Sequence, residues 1–267
     1  MFDHAPLQRS DGEARIALRD GRIAALRQSG SAKVMLPRTH SSVPEIVFLN
    51  TSGGLTSGDR LEYSVTLGAG TRARATTQTA ERAYRAEDGP ARAIVTLELG
   101  AGASLGWLPQ ETILFNGAGL QRQTRVEMAG DARYLGIETV VLGRAAMGET
   151  VARLMLEDSR TIRRDGRLLL LDPLRLTDAA LARAGGMALL GGARAFATLI
   201  FVAPEAQAML PALRAELDEP GVQGAASALE GRLVLRCLAA DAWPLRRQML
   251  RLVERLQPGA TPRCWQN

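Results

Sequence analysis

The segment "TLGAGTRA" at Thr66–Ala73 returns as "ELGAGASL" at Glu98–Leu105, and "EMAGDARY" at Glu127–Tyr134 is a looser third copy. The copies lie about 30 residues apart, a spacing typical of repeated supersecondary units. Stacked or coiled β-layers of a β-helix-like kind would produce such a repeat, and a β-sandwich with regular hairpins would produce a similar one. The repeat therefore predicts a mainly β protein and leaves these two forms open.

The residues around the repeat support the same fold class. Residues 61–67, "LEYSVTL", alternate apolar and polar side chains, and residues 93–99, "AIVTLEL", repeat that alternation, which indicates strands with one buried face. Turn signals such as Asp20-Gly21 and Asn116-Gly117 separate the strands. We therefore predict a β-rich body over about residues 13–176.

The remainder, about residues 177–267, predicts a β-α-β-α portion. Residues 196–203, "FATLIFVA", and residues 231–239, "GRLVLRCLA", are typical of buried strands, and each precedes a helical pattern. Asp241 is placed to cap the last helix, "AWPLRRQMLRLVERLQ", whose apolar face packs on the sheet or binds a partner. We predict one domain, residues 1–267, made of the body and this portion.

The composition argues against several classes of function. The net charge is +5, but the 33 basic residues are dispersed among 28 acidic ones and aromatic residues make up only 4%, so an RNA-binding module is disfavoured. The first residues lack a secretory signal pattern and the apolar runs are too short to cross a bilayer. Cys237 and Cys264 are expected to be free thiols. We expect a cytoplasmic protein with neither nucleic acid nor membrane as partner.

The loop "NTSGGLTSGD", Asn50–Asp59, invites three interpretations: a phosphate cradle, a nucleophile turn or a tight connection. A phosphate-binding P-loop requires a lysine, and the only lysine, Lys33, lacks the required spacing. A serine nucleophile would need a histidine base, and only His4 and His40 occur. We therefore interpret the loop as a tight connection shaped by its glycines and carrying one placed carboxylate. The glycines are Gly53, Gly54 and Gly58, and the carboxylate is Asp59.

A tight metal site is not expected. Zinc or nickel sites usually require several imidazole or thiolate ligands, and the two histidines and two cysteines are scattered without ligand spacing. Carboxylates could offer oxygen ligands, which hold a divalent transition metal weakly.

Four ordered motifs resemble the UreD/UreH family of urease accessory proteins. They are "NTSGGLTSGDRL" (50–61), "TTQTAERAYR" (76–85), "LGWLPQETILFNGA" (105–118) and "ETVVLGRAAMGE" (138–149). The Trp-x-Pro-x-Glu core of the third motif is the most specific. The chain departs from the family pattern at Asn50-Thr51-Ser52, where many members carry His-Pro-Pro, and at Asn116, where an acid is common.

The resemblance implies a non-catalytic chaperone with a mostly β fold of stacked, helix-like layers and a few helices. Members of the family bind the urease apoprotein and UreF, which recruits the GTPase UreG, and they are thought to pass nickel through an internal channel. The resemblance thus implies urease, UreF and UreG as partners, no tightly bound cofactor, and transient nickel.

A protein that passes metal onward should bind it loosely, because a tight site would retain the metal. We therefore expect carboxylates along an internal polar path, with arginines as their partners; structural ion pairs between the layers are the alternative. The candidate carboxylates are Asp59, Glu111, Glu81 and Glu138, and the candidate arginines are Arg85 and Arg144.

Two further hypotheses concern other surfaces and another chemistry. The acidic pair Asp59 and Glu111 could serve a carboxylate-dependent hydrolase if held at a fixed separation. Partner contacts are expected from the carboxyl-terminal segment, namely Trp243, the face of the last helix and the tail "PRCWQN" (262–267), although a tail tryptophan could equally pack on its own sheet.

Overall fold

The computed structural model describes residues 9–39, 41–186 and 189–266. Its elements run in chain order as follows: β1 Asp11–Arg19, β2 Arg22–Gly30, β3 Ala32–Met35, β4 Glu45–Asn50, β5 Arg60–Leu67, β6 Arg72–Thr77, β7 Glu81–Ala83, β8 Ala91–Leu99, β9 Ser104–Trp107, β10 Thr112–Leu114, β11 Ala118–Met128, β12 Arg133–Leu142, β13 Leu154–Arg164, β14 Arg167–Thr177, α1 Asp178–Leu181, β15 Ala195–Val202, α2 Leu210–Ala215, β16 Val222–Leu229, β17 Arg232–Ala239 and α3 Ala242–Leu256. Short 3₁₀ turns lie at Ala145–Met147 and Arg263–Trp265.

These strands form two sheets. The first sheet has seven strands in the order β14-β13-β11-β8-β5-β1-β2. The second has ten; eight follow the order β16-β17-β15-β12-β9-β6-β4-β3, while β10 pairs with β12 and with β7. The fold is therefore mainly β, as predicted, and of the two forms left open it is the coiled one.

The sequence repeat marks the points where the chain passes from one sheet to the other. Each copy begins at the end of a strand of the first sheet and ends in a strand of the second, giving the pairs β5–β6, β8–β9 and β11–β12. Successive coils then stack in register. Leu67 lies beside Leu99 and Leu99 beside Met128, all in parallel strands.

The glycines of the repeat allow this stacking of the turns. Gly70 and Gly102 both have φ of 66°, a left-handed conformation that glycine adopts without steric penalty. The N–H of Gly70 donates to the carbonyl of Ala101, and the N–H of Gly102 donates to Oδ1 of Asp131. Each turn thus bonds to the turn of the next coil.

The main core lies between the two sheets. In strands such as β1, β5 and β11, buried and mostly apolar positions alternate with more exposed ones, so the coils bury a hydrophobic layer. Phe48, Tyr63 and Trp107 form an aromatic group in it, with ring centroids 4.5 and 6.0 Å from Phe48. Burial of this layer is the principal stabilising contribution to the body.

The carboxyl-terminal portion continues the second sheet, because β15 pairs antiparallel with β12. The predicted β-α-β-α order is found with one addition, the strand β16, which pairs with β17. Its sequence, "VQGAASAL", is rich in Ala, Gly and Ser, which are weak strand formers. Cross-strand pairing with β17 therefore determines this strand more than its own propensity does.

The last helix behaves as its sequence predicts. The side chain of Asp241 accepts a hydrogen bond from the N–H of Trp243 at 2.7 Å and caps α3. Leu245, Met249 and Leu252 are buried in a second core between α3 and the sheet, so the apolar face packs on the sheet. No helix in the described ranges is long and apolar enough to cross a membrane.

The tail folds back onto the second sheet. Trp265 is 5% exposed, and its Nε1 donates to the carbonyl of Leu108 at 3.0 Å and to Oγ1 of Thr76 at 3.2 Å. The guanidinium of Arg246 lies 4.9 Å from the centre of the Trp265 ring. Of the predicted partner contacts, the tail tryptophan is thus internal, whereas Trp243 is 57% exposed.

Candidate functional site

Charged side chains interrupt the apolar layer between the sheets. In β11, Arg122 occupies an inward position between Leu120 and Thr124, and in the neighbouring β13, Asp158 follows the inward Leu156. The parallel register places Arg122 directly beside Asp158. A buried charge requires a partner of opposite sign, and the register provides one.

Arg122 joins carboxylates from both sheets. Its Nε and Nη2 lie 3.0 and 2.7 Å from the two oxygens of Asp158, a bidentate pair, and its Nη1 lies 2.8 Å from Oε2 of Glu138 in β12. Nη1 also donates to Oγ1 of Thr112 at 2.9 Å. The guanidinium therefore connects a carboxylate of the first sheet to one of the second.

The same network continues away from Glu138. Nη2 of Arg160 lies 3.3 Å from Asp158, and Nε of Arg160 lies 3.2 Å from Oδ2 of Asp172 in β14. Arg236 in β17 donates from Nη2 to the other oxygen of Asp172. Charged groups thus follow one another from the interior to β14, an edge strand of the first sheet, and to β17, which lies next to the edge strand β16 of the second.

The electrostatics of the network keep its members ionised. Burial lowers the pKa of Arg122, but the charges of Asp158 and Glu138 outweigh burial and hold this pKa above its ordinary value. Burial raises the pKa of Asp158, and Arg122 and Arg160 together more than reverse that effect, so the pKa is lowered. Neither group can readily give up its charge near neutral pH.

A small cavity borders the network. It holds about 50 Å³ of space, enough for a few water molecules. Its wall carries Glu138 together with Trp107, whose Nε1 donates to Oε1 of Glu138 at 3.3 Å. Thr124 donates to the same oxygen at 3.1 Å. The Glu138 carboxylate is thereby held by neutral donors on one oxygen and by Arg122 on the other.

Glu81 stands where this cavity meets a second one of the same size. Tyr63, Thr77 and Glu81 line both cavities. The Glu81 carboxylate accepts hydrogen bonds from the side chain of Asn50, at 3.2 Å to Oε2, and from the N–H of Arg82, at 3.1 Å to Oε1. No ion pair to Glu81 is found among the described residues, so its negative charge faces the cavities without a bound cation.

Burial raises the pKa of Glu81 above its ordinary value of 4.5, and hydrogen bonds from Asn50 and the Arg82 N–H only partly offset this effect. A raised folded-state pKa contributes stability below the unfolded pKa, and this contribution is lost as the pH rises through the folded-state pKa. As the pH rises through the folded-state pKa, the negative charge on Glu81 therefore opposes folding.

Glu81→Gln removes this charge and keeps the shape of the side chain. We expect the variant to melt a few degrees above the wild type at about pH 8 and at nearly the same temperature at about pH 4. Thermal denaturation followed by circular dichroism at both pH values measures the difference. The matched control is Glu98→Gln, whose carboxylate is exposed and accepts from Thr66 at 3.0 Å. A stabilisation independent of pH would contradict the role of the charge.

The other end of the network opens into a larger cleft of about 530 Å³ between β14 and the strands β15 to β17. Arg160, Asp172 and Arg236 form its polar part, and leucines and Phe196 form the rest. Polar groups therefore extend from the Asn50 side of the molecule, past Glu81 and Glu138, to this cleft.

Asp59 and Glu111 do not take part in this arrangement, which corrects their predicted placement. Asp59 is buried, and its two oxygens accept from the N–H groups of Ser10 and Thr56 at 2.7 and 2.8 Å. Glu111 pairs with Arg246 of α3 at 3.3 Å. Asp59 thus fixes the loop before β5 and Glu111 fixes the last helix, so the two carboxylates are engaged separately and form no acidic pair.

The predicted partners Arg85 and Arg144 also lie elsewhere. Arg85 is exposed and pairs with Glu87 at 3.4 Å. Arg144 pairs with Glu149 at 2.8 Å and lies 4.5 Å from the centre of the Phe115 ring. Both follow surface loops, where long cationic side chains find partners nearby in sequence. The buried carboxylates Glu138, Asp158 and Asp172 are instead paired with Arg122 and Arg160.

The loop glycines adopt positive φ, and Gly54 is also required by close approach. Gly54 has φ of 149°, and a Cβ added there would lie 2.3 Å from the Tyr84 ring. Gly53 and Gly58 have φ of 80° and 72°. The loop connects the second sheet to the first and holds Leu55 beside Ala83, so it forms one wall of the region around Glu81.

Among the described residues, the metal-ligating atoms that line the two cavities at Glu81 are oxygens, whereas the thiol of Cys237 lines the larger cleft. Within residues 9–39, 41–186 and 189–266, no group of three His, Cys, Asp or Glu side chains is arranged to hold a metal. Cys237 and Cys264 are free thiols, as predicted, and burial raises the pKa of Cys237 to about 12. His4 and His40 lie outside the described residues.

Sequence reasoning missed Arg122, Asp158, Arg160 and Asp172. A signal for the first three is present in the strand pattern: residues 120–128 and 154–162 alternate apolar and polar, and the charges fall on the apolar register. A charge on that register must be buried once the strand is placed in a sheet.

The fold and the interior together define a coiled, two-sheet β protein with a charged network between its sheets. Residues 10–266 match the family described as "UreD urease accessory protein". The chain is 56% identical to a protein of Paracoccus denitrificans over 269 aligned residues, covering 100% of this chain and 96% of the relative. It is 55% identical to one of Cereibacter sphaeroides, covering 98% and 96%, and 44% identical to one of Rhizobium leguminosarum bv. viciae, covering 97% and 96%. Each of these relatives is named urease accessory protein UreD. The chain belongs to the UreD family of urease accessory proteins, and its role is in urease maturation.

Proposed function

We propose that this chain is a non-catalytic scaffold that binds the urease apoprotein and the UreF–UreG complex and helps deliver nickel to the urease active site. It acts in the cytoplasm, with neither nucleic acid nor membrane as partner. Nickel is its cargo and not a resident cofactor.

The observation that carries the proposal is the continuity of polar groups through the interior. Two cavities meet at Glu81, the wall of one carries Glu138, and the charged network leads from there to the cleft at Asp172. A protein core has little reason to bury such a series of charges, since each must be desolvated. A path for a cation provides that reason.

The chemistry of the donors agrees with a transient cargo. Glu81 offers carboxylate oxygens, and Thr77 and Thr112 offer hydroxyl oxygens nearby. Such ligands bind Ni²⁺ far more weakly than imidazole or thiolate sets do. Metal can then leave for a site that binds nickel more tightly, and the nickel site of urease must be such a site.

The alternative, a carboxylate-dependent hydrolase built on Asp59 and Glu111, gains no support from the geometry. Both oxygens of Asp59 accept from backbone N–H groups, and Glu111 is paired with Arg246. Neither carboxylate is free to act as acid, base or nucleophile in this arrangement.

The test separates assembly from delivery. We expect the tagged wild-type chain, co-expressed with apo-urease and UreF, to co-purify both proteins without added nickel. Glu81→Gln should co-purify them equally and lower urease activation in the presence of nickel severalfold, because the path loses its unpaired carboxylate. Glu98→Gln, on the outer face, should match the wild type in both assays.

Two results would overturn parts of the proposal. A folded wild-type chain that brings down neither protein would remove the scaffold role. Full urease activation by Glu81→Gln in an intact complex would remove Glu81 from the nickel path.

A further inference from the structure

Arg122 occupies the position in the interior that a bound metal ion would otherwise take. Its guanidinium makes four contacts with oxygen atoms, all between 2.7 and 3.0 Å, two from Asp158 and one each from Glu138 and Thr112. The side chain of Arg122 is 8% exposed. Two carboxylates and a hydroxyl converging on one centre of positive charge resemble the ligand shell of a divalent cation.

The charges explain why no metal can be retained there. Across the network, three carboxylates, Glu138, Asp158 and Asp172, are matched by three guanidinium groups, those of Arg122, Arg160 and Arg236. A divalent ion would have to displace the guanidinium, which cannot leave by losing its proton because the neighbouring carboxylates raise its pKa. Glu81, by contrast, has only hydrogen bonds from neutral groups.

We infer that Arg122 is a fixed internal cation that prevents Glu138 and Asp158 from retaining a divalent metal, so that the interior passes cargo without trapping it. The inference rests on the proposed nickel path and adds a positioning residue to it. Arg122 acts through the carboxylates and does not itself contact the metal. Its removal should let Glu138 and Asp158 bind a divalent metal more tightly than they do in the native protein.

The experiment uses the purified full-length chain with its affinity tag removed and Ni²⁺ as the probe. Trp107 reports binding, because its Nε1 donates to Glu138 and nickel nearby quenches indole fluorescence. We expect Arg122→Gln to bind Ni²⁺ at least about tenfold more tightly than the wild type, since ligand charge sets metal affinity. Addition of Ni²⁺ should also raise its melting temperature, because a ligand that binds only the folded state stabilises it.

Two control variants make the result specific. Arg122→Gln combined with Asp158→Asn removes one of the two carboxylates and should return the affinity to the wild-type value. Arg163→Gln, an exposed arginine of the same strand as Asp158, should leave nickel binding unchanged. The inference would be overturned if Arg122→Gln folds and binds nickel no more tightly than the wild type. It would also be overturned if the double variant binds nickel as tightly as Arg122→Gln.

Arg122→Gln leaves two buried carboxylates without their main partner, so a second variant covers a failure to fold. If Arg122→Gln does not fold even with nickel present, Arg122→Lys decides. The single ammonium group cannot hold Asp158 bidentately and reach Glu138 as well, so tighter nickel binding than in the wild type is expected. Unchanged affinity in Arg122→Lys would overturn the inference.

Failure here is distinguishable from failure of the proposed function. Nickel binding is measured on the chain alone, without urease. If Arg122→Gln binds nickel more tightly and Glu81→Gln still activates urease fully, the role of Arg122 is retained and the path through Glu81 is removed. If Arg122→Gln binds nickel no more tightly than the wild type and Glu81→Gln lowers urease activation, the path is retained and the role of Arg122 is removed.

Discussion

Asp158→Ala is expected to lower the free energy of unfolding by about 3–5 kcal/mol, the range for breaking a buried ion pair by removing one partner. The substitution leaves Arg122 with Glu138 alone and deprives Arg160 of one of its two carboxylates. Asp158 is 2% exposed, so water cannot readily replace the lost oxygens. Urea denaturation of the purified variant measures the change.

The matched control is Asp218→Ala. Asp218 pairs with Arg251 at 2.7 Å, but its side chain is 66% exposed, and exposed pairs contribute only about 0–1 kcal/mol. Equal losses in the two variants would show that the interior network adds nothing to stability beyond a surface pair.

The stability lost in Asp158→Ala should also be lost by the wild type in acid. The pKa of Asp158 is lowered by its arginines, so its contribution is present above the unfolded pKa and disappears as the pH falls through the folded value.

Trp265→Ala should lower the free energy of unfolding by about 3–5 kcal/mol, as large-to-small changes at buried aromatic positions do. The indole fills a site between α3 and the second sheet and makes two hydrogen bonds there, to Leu108 and Thr76. Its loss also removes the ring beneath Arg246, and with it a contact that positions α3.

Trp243→Ala provides the comparison for the tail. Trp243 lies in the first turn of α3 and is 57% exposed, so its removal should change the free energy of unfolding by no more than about 0.5 kcal/mol. The two tryptophan variants differ only in position, and urea denaturation distinguishes them. A small loss for Trp265→Ala would mean that the tail does not stabilise the fold.

The mainly β architecture was largely predictable because the repeat and the strand alternation act locally. Copies of one short turn, "LGAG" or "MAGD", lie at the ends of β5, β8 and β11, and positive φ at Gly70 and Gly102 explains the similarity of the first two. The repeat alone could not choose between coiled layers and a sandwich, because that choice depends on which strands pair. That information lies in contacts between residues about 30 positions apart. The family resemblance implied the stacked layers that are found.

The site was less predictable for a related reason. Glu81 and Glu138 were among the candidates and line the cavity, whereas Asp59 and Glu111 were candidates with other tasks. The positions of these four carboxylates in the sequence motifs did not show which two line the cavity and which two do not. Arg122 lies in no motif, and only the register that places it beside Asp158 gives it importance. Such a pairing follows from the assembled sheet and not from the neighbouring sequence.

The docking of the tail has a consequence for the order in which the chain can mature during synthesis. The coils can stack as they emerge from the ribosome, one after another, since each pairs with the coil before it. The site for Trp265 takes its hydrogen-bond acceptors, Thr76 and Leu108, from the first half of the chain, and α3 with Arg246 covers the ring. It stays empty until Trp265 has been translated. A product cut short before Trp265 would therefore carry every coil and still expose an apolar site on its sheet, a feature by which quality control can distinguish unfinished chains from finished ones.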